Sequence, residues 1–283
     1  MAVNTVHAYL HDVDLLFEFL REEKESISLK KVSLQDLKDF ILYINNFEIG
    51  TYSQARLISG IKAFFVFLIL EKEISTNPAE LLESPRLGRK LPDVLSIDEV
   101  LKIIEGIDLS TPEGQRNRAM LEVLYGSGLR VSELISLKIS DINFNEDIIL
   151  VTGKGNKQRL VPMGEESKKH IKLYLSHHRL HINIKKSFED TLFLNRRGSA
   201  ISRQMVFIII KNQVESLGIK KQISPHTFRH SFATHLVQNG ADLRVVQQLL
   251  GHVSITTTEV YTHLNTDDLR KSIMEFHPRN INQ

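Results

Sequence analysis

Residues 147–163 read DIILVTGKGNKQRLVPM. Two runs suited to β-strands, Asp147 to Thr152 and Gln158 to Met163, flank Gly153-Lys154-Gly155-Asn156, and the pattern predicts a hairpin with a lysine near its tip. Thr191 to Leu194 reads as a third strand. The other periodic stretches of the chain repeat at helical spacing. The fold class that follows is mainly α with one small antiparallel sheet. The hairpin is not a nucleotide-binding loop, because the Walker pattern requires glycine where Ile148 stands and Ser or Thr where Gly155 stands. Most hairpin lysines are simply solvated, yet one on a glycine hinge is able to swing into a groove or towards a leaving group.

Upstream, Ser96-Ile97-Asp98-Glu99 opens one helix, and Gln115 to Tyr125 forms another that stops at Gly126 and Gly128, with Arg130 starting the next. Residues 83–94 (ESPRLGRKLPDV) hold two prolines, a glycine and three basic residues with little periodicity, which is linker composition. Fully extended, such a segment reaches roughly 40 Å, enough to lead the chain around one side of a bound polymer. The expected organisation is a helical domain over 1–82, a linker over 83–94 and a second domain over 95–283. In the first domain Leu10, Val13, Leu16, Phe17 and Leu20 mark one helix face. A second helix runs from about Leu34 to Asn45 behind a Ser33 cap, a third from about Tyr52 to Glu71, and Asn77-Pro78 opens a short fourth. No cluster of acid, base and nucleophile stands out there, so its expected task is binding.

The 283 residues are 42% hydrophobic and 25% charged, which excludes collagen, long disorder and mucin-like stalks. With no cysteine there is no disulfide framework, no thiolate nucleophile and no Cys-containing zinc site. The longest apolar run, Ala63 to Leu70, falls well short of a membrane span, and the N-terminus lacks a basic region followed by an apolar stretch. The expected location is the cytoplasm. The net charge of +2 divides unevenly, −2 over residues 1–90 and +4 over 91–283. Six of the twelve histidines fall in the last 58 positions, so titratable groups concentrate there.

Ser224 and Pro225 suit the N-cap and first position of a helix whose first turn places His226 and Arg229 on one exposed face. With the positive end of the helix, that pair is able to converge on one anion. His226 and His230 have the spacing of a zinc protease, but Thr227 replaces the required glutamate and Arg229 would repel a dication. Gly251-His252 ends a further helix, and Tyr261 lies on a short helix introduced by Thr256-Thr257-Thr258. Asp267 to Phe276 places Leu269, Ile273 and Phe276 on one helix face. Two histidines, two arginines, a hairpin lysine and a tyrosine, in a domain with no other candidate nucleophile, ask for phosphoryl transfer.

These motifs resemble the tyrosine recombinases, and specifically the Xer type that resolves chromosome dimers. The resemblance is carried by Ser127-Gly128-Leu129-Arg130-Val131-Ser132-Glu133-Leu134, the hairpin Gly153 to Pro162, Ser224 to Leu236, Gly240 to His252, Thr257 to His263 and His277-Pro278-Arg279, and it covers essentially the whole chain. It implies a SAM-like DNA-binding bundle followed by a catalytic domain of the tyrosine recombinase fold. It implies a site-specific DNA recombinase whose active set is Arg130, Lys154, His226, Arg229, His252 and Tyr261, with no cofactor and no metal. The implied partners are double-stranded DNA at a specific recombination site, a homo- or hetero-tetramer with a second Xer-type recombinase, and a DNA translocase of the FtsK type. In that family the C-terminal helix docks on a neighbouring subunit, the plain alternative being packing on its own domain. Members usually carry one more helix ahead of the segment that begins here at Asn4, where only Met1-Ala2-Val3 precede it.

By the same resemblance Tyr261 attacks a DNA phosphodiester, leaving a 3′-phosphotyrosyl link and a free 5′-hydroxyl. The link conserves bond energy, so a second strand rejoins without ATP. A phenol of pKa about 10 is ionised only about one part in a thousand at pH 7, so attack needs local help. Arg130 and Arg229 present planar forks matched to phosphate oxygens in the pentacoordinate transition state. Lys154 is the expected general acid for the departing 5′-oxygen, His226 assists proton transfer at the nucleophile, and His252 donates to a phosphate oxygen. Glu133, three residues after Arg130, either holds that arginine or orients His226, the plain alternative being a surface i, i+3 ion pair. A mobile-element integrase and a type IB topoisomerase would share this chemistry. A DNA-binding accessory factor would carry the site unused.

Overall fold

The computed structural model describes residues 3–24, 27–47, 49–85, 88, 93–251 and 266–281. The chain divides into two units, Met1–Leu91 and Pro92–Gln283, each with its own apolar core.

The first unit is built from α1 (Val3–Glu22), α2 (Leu34–Asn45) and α3 (Thr51–Leu70). Ser33 and Asp36 start α2 with a reciprocal capping box, each side chain accepting the other's backbone N–H. Leu16, Leu37, Phe40, Ile58, Ile61 and Phe65 are buried between the three helices. α3 is long and apolar enough to cross a membrane by length and composition, a property that the eight-residue apolar run alone does not reveal. Here it behaves as a core helix: one face packs inward, and Arg56 pairs at 2.6 Å with the buried carboxylate of Asp12. The fourth helix expected at Asn77-Pro78 is instead a turn. Asn77 Oδ1 accepts the Ala79 N–H, and the Ser84-Pro85 step that follows disfavours helical backbone.

The second unit opens with α4 (Ile97–Glu105), started by the Ser96–Glu99 capping box, and α5 (Pro112–Gly126). α5 begins three residues before Gln115 because Thr111 caps it and Pro112 occupies its first position. Its buried residues Ala119, Met120, Leu121, Val123, Leu124 and Tyr125 surround the axis, so neighbours cover it on all sides. After α6 (Val131–Ser136) come β1 (Ile142–Asn143), β2 (Ile148–Thr152) and β3 (Gln158–Pro162), an antiparallel sheet in that order. The predicted hairpin is present to within a residue at each end. The third strand is β1, not Thr191 to Leu194, which forms only isolated bridges to Lys138 and Ala200. β1 takes the free edge of β2, while Leu192, Phe193 and Leu194 serve as buried core.

Of the helices that follow, α7 (Glu165–Leu173) and α9 (Pro225–Gln238) pack directly on α5, α8 (Arg203–Ser216) packs on α4, α6 and α9, and α10 (Leu243–Leu250) packs on α9 and β3. α11 (Thr266–Phe276) buries Leu269 and Ile273 in the core of its own unit, and α12 (Pro278–Ile281) is anchored by Arg279, which bonds Glu122 and Glu105.

Candidate active site

α5 ends at Gly126, and the chain turns through Gly128 at φ +57°. A Cβ there would lie 2.4 Å from the Phe232 ring, so the turn requires glycine on both conformational and steric grounds. The turn delivers Arg130 to the N-cap of α6. Glu133, one turn later and 2% exposed in its side chain, accepts the Arg130 backbone N–H at 2.8 Å and Arg130 Nη1 at 2.9 Å. Arg159 on β3 meets the same carboxylate with both terminal nitrogens at 2.8 Å, and Arg229 Nη1 stands 3.8 Å away. Three guanidinium groups thus converge on one buried carboxylate. Burial pushes the Glu133 carboxyl up, but the Arg159 and Arg130 hydrogen bonds and the Arg159 charge outweigh it and hold its pKa at about 2.

Arg229 departs from the sequence expectation. His226 is exposed at the start of α9, whereas Arg229 is buried, so the two do not share an exposed face. The reason is that α9 packs on α5, and the Arg229 guanidinium finds partners inside: Nη1 donates to Gly128 O at 2.7 Å and Nη2 to Leu250 O at 2.5 Å. Burial, and after it the charge of Arg130, brings its pKa down to about 10, so it stays cationic at neutral pH. Among the roles expected of Glu133, the geometry is that of holding arginines, and its burial rules out a surface ion pair.

Lys154 begins the short turn Lys154–Asn156 at the hairpin tip; its side chain lies outside what the structure describes. Its neighbour Gly153 sits over Glu133, where a Cβ would be 3.5 Å from Oε1, so the base of the hairpin adjoins the arginine cluster. His252 and Tyr261 lie outside the described residues. The segment leading to them leaves α10 at Gly251, a left-handed cap at φ +62°.

Arg159 is the neighbour that sequence reasoning passed over. A signal for it existed: pairing opposite Val151 places it on the same sheet face as buried Val161, where an arginine is unexpected. The cluster is rich in cations and poor in metal ligands. Glu122, Glu166 and His170 do lie within 4.8 Å of one another, but Glu122 is already occupied by Arg118 and Arg279, whose charges oppose a cation there. With three arginines against one carboxylate, and Arg130 35% exposed in its side chain, the arrangement suits an incoming phosphate.

Known proteins resemble this chain over nearly its whole length. Residues 93–268 match the phage integrase family, and residues 1–72 match the phage integrase N-terminal SAM-like domain. The tyrosine recombinase XerD of Staphylococcus saprophyticus is 42% identical over 279 residues, covering 99% of this chain and 94% of that protein. XerD of Oceanobacillus iheyensis is 42% identical over 276 residues, covering 98% and 93%. Among solved structures, the site-specific recombinase XerH bound to its difH substrate in a pre-cleavage complex superposes with a TM-score of 0.70 at 25% identity, covering 94% of this chain and 78% of that one. The chain belongs to the phage integrase family and, within it, to the Xer-type tyrosine recombinases, enzymes of site-specific DNA recombination.

Proposed function

We propose that this recombinase cuts and rejoins double-stranded DNA in chromosome dimer resolution, with Tyr261 as nucleophile and Arg130 and Arg229 as the clamp on the scissile phosphate. The observation that carries the reading is the convergence of both arginines on Glu133 with positive charge left over. A phosphodiester carries one negative charge, and attack by a phenolate adds a second in the transition state. Guanidinium donors already fixed in place stabilise that added charge without reorganising. Lys154, adjoining the cluster through Gly153, protonates the departing 5′-oxygen, His226 moves the tyrosyl proton, and His252 donates to a phosphate oxygen. Rejoining reverses these steps with a 5′-hydroxyl from the partner strand as nucleophile.

In this reading residues 1–82 bind the core DNA site, 83–94 pass around the duplex, and 95–283 perform the chemistry in the cytoplasm. Four protomers, alone or with a second Xer-type recombinase, synapse two sites, and a translocase of the FtsK type activates them. The test is a nicked suicide duplex carrying the host's dimer-resolution site, incubated with wild type and with Tyr261→Phe and resolved under denaturing conditions. A covalent band is expected with the wild type only, and unchanged in EDTA. Binding without an adduct would favour the accessory-factor reading.

A further inference from the structure

We propose that Arg159 is a positioning residue of this active site: it locks the carboxylate under Arg130 to the end of α10, so that both clamp arginines are held by one rigid network. The inference rests on the phosphate-clamp reading of Arg130 and Arg229. Arg159 spends its guanidinium on protein. Nη1 and Nη2 bond the two Glu133 oxygens at 2.8 Å each, and Nε donates to Leu249 O at 2.9 Å. The side chain is only 13% exposed, so its effect on a bound phosphate passes through the groups it touches.

Those groups connect three elements. Glu133 anchors Arg130 through side chain and backbone at the start of α6. Leu249 and Leu250 end α10, and their carbonyls are taken by Arg159 and by Arg229 respectively. At Gly251 a Cβ would stand 3.1 Å from Arg159 Cδ, so the helix end is packed onto this side chain as well as bonded to it. β3 carries Arg159 itself and returns from the hairpin that bears Lys154. Without Arg159, Glu133 keeps its bonds to Arg130, loses its bidentate partner, and no longer communicates with α10. Lysine would preserve the charge but not the geometry, because a single ammonium does not reproduce a planar three-way contact.

The test is single-turnover cleavage of the suicide duplex by wild type, Arg159→Lys, Arg159→Met and Glu133→Gln/Arg159→Met. Rates are normalised to the folded fraction, and DNA affinity is measured separately by retardation. The expected result is a cleavage rate about 100-fold lower in both single variants, the cost typical of a misplaced catalytic group, with affinity nearly unchanged. The double variant should lose little more than Glu133→Gln alone, as expected for residues that act as a unit. Wild-type cleavage by folded Arg159→Met, or full recovery with Arg159→Lys, overturns the inference and leaves the clamp reading standing. Absence of any adduct with the wild type overturns both.

Discussion

Two buried glutamates of the second unit each receive two arginines at close range, and they differ in what is left over. Glu122 is met by Arg118 at 3.0 Å and by Arg279, whose remaining contacts go to Glu105 at 3.0 Å and Glu166 at 4.0 Å. There the positive charge is matched within the protein. Glu133 is met by Arg130 and Arg159 with Arg229 beside them, and among the described residues no second carboxylate stands within ion-pairing distance of the three. The first cluster fastens α12 to α5. The second carries positive charge in excess of its one carboxylate, as the proposed phosphate clamp requires.

The sharpest way to break this contrast is to neutralise each carboxylate in turn. Glu133→Gln and Glu122→Gln should both destabilise the unit by about 3–5 kcal/mol, since each leaves buried arginines without their counter-ion. Denaturant unfolding would register both. Single-turnover cleavage, corrected for the folded fraction, should separate them: the Glu122 variant cleaves as wild type, and the Glu133 variant does not. Equal losses in both would mean that the second cluster is structural as well.

Replacing arginines sharpens the same distinction at smaller cost. Arg130→Lys keeps the charge and loses the fork, and its cleavage rate should fall about 10²–10³-fold, the usual cost of one missing transition-state donor. Arg118→Lys loses one of two hydrogen bonds, to Glu122 or to Ile104 O, and should lower stability by about 1 kcal/mol with cleavage unchanged.

Much of this was legible in the residues themselves. Strand alternation around a glycine turn gave the hairpin, Ser224-Pro225 gave the start of α9, and Ser96 with Glu99 gave that of α4. These are local signals, closed within a few positions. What stayed hidden depends on partners far along the chain. Arg159 meets Glu133 26 positions away and Leu249 90 positions away, so strand alternation marks it as an arginine on an inward face without naming its partners. Arg229 looked exposed because its two carbonyl acceptors, at Gly128 and Leu250, come from other turns of the fold. Thr191 to Leu194 had strand composition, but its apolar side chains were claimed by the core.

The pH dependence of stability tests the matched cluster from its other side. His277, next to Arg279, is buried against Tyr125 and Phe232, with ring centroids 4.7 Å and 5.4 Å away. Burial, aided by the charges of His235 and Arg279, pushes its pKa from 6.5 down to about 3. Between those values the unfolded chain takes a proton that the folded chain refuses, so stability falls as pH falls, by up to about 1.4 kcal/mol per unit. His170 and His235, also lowered by burial, act in the same direction. Glu133 has the opposite chemistry and a later window: its stabilisation is complete above 4.5 and is lost as pH falls towards about 2. Between pH 6.5 and 4.5 the histidines therefore set the slope with little help from the arginine-bound carboxylate. Urea unfolding at pH 7.5, 6 and 5 should show a flatter dependence in His277→Gln than in wild type, by about one proton's worth. An unchanged slope would assign the acid sensitivity to the remaining buried groups instead, and would remove His277 from the set that keeps α12 seated on α5.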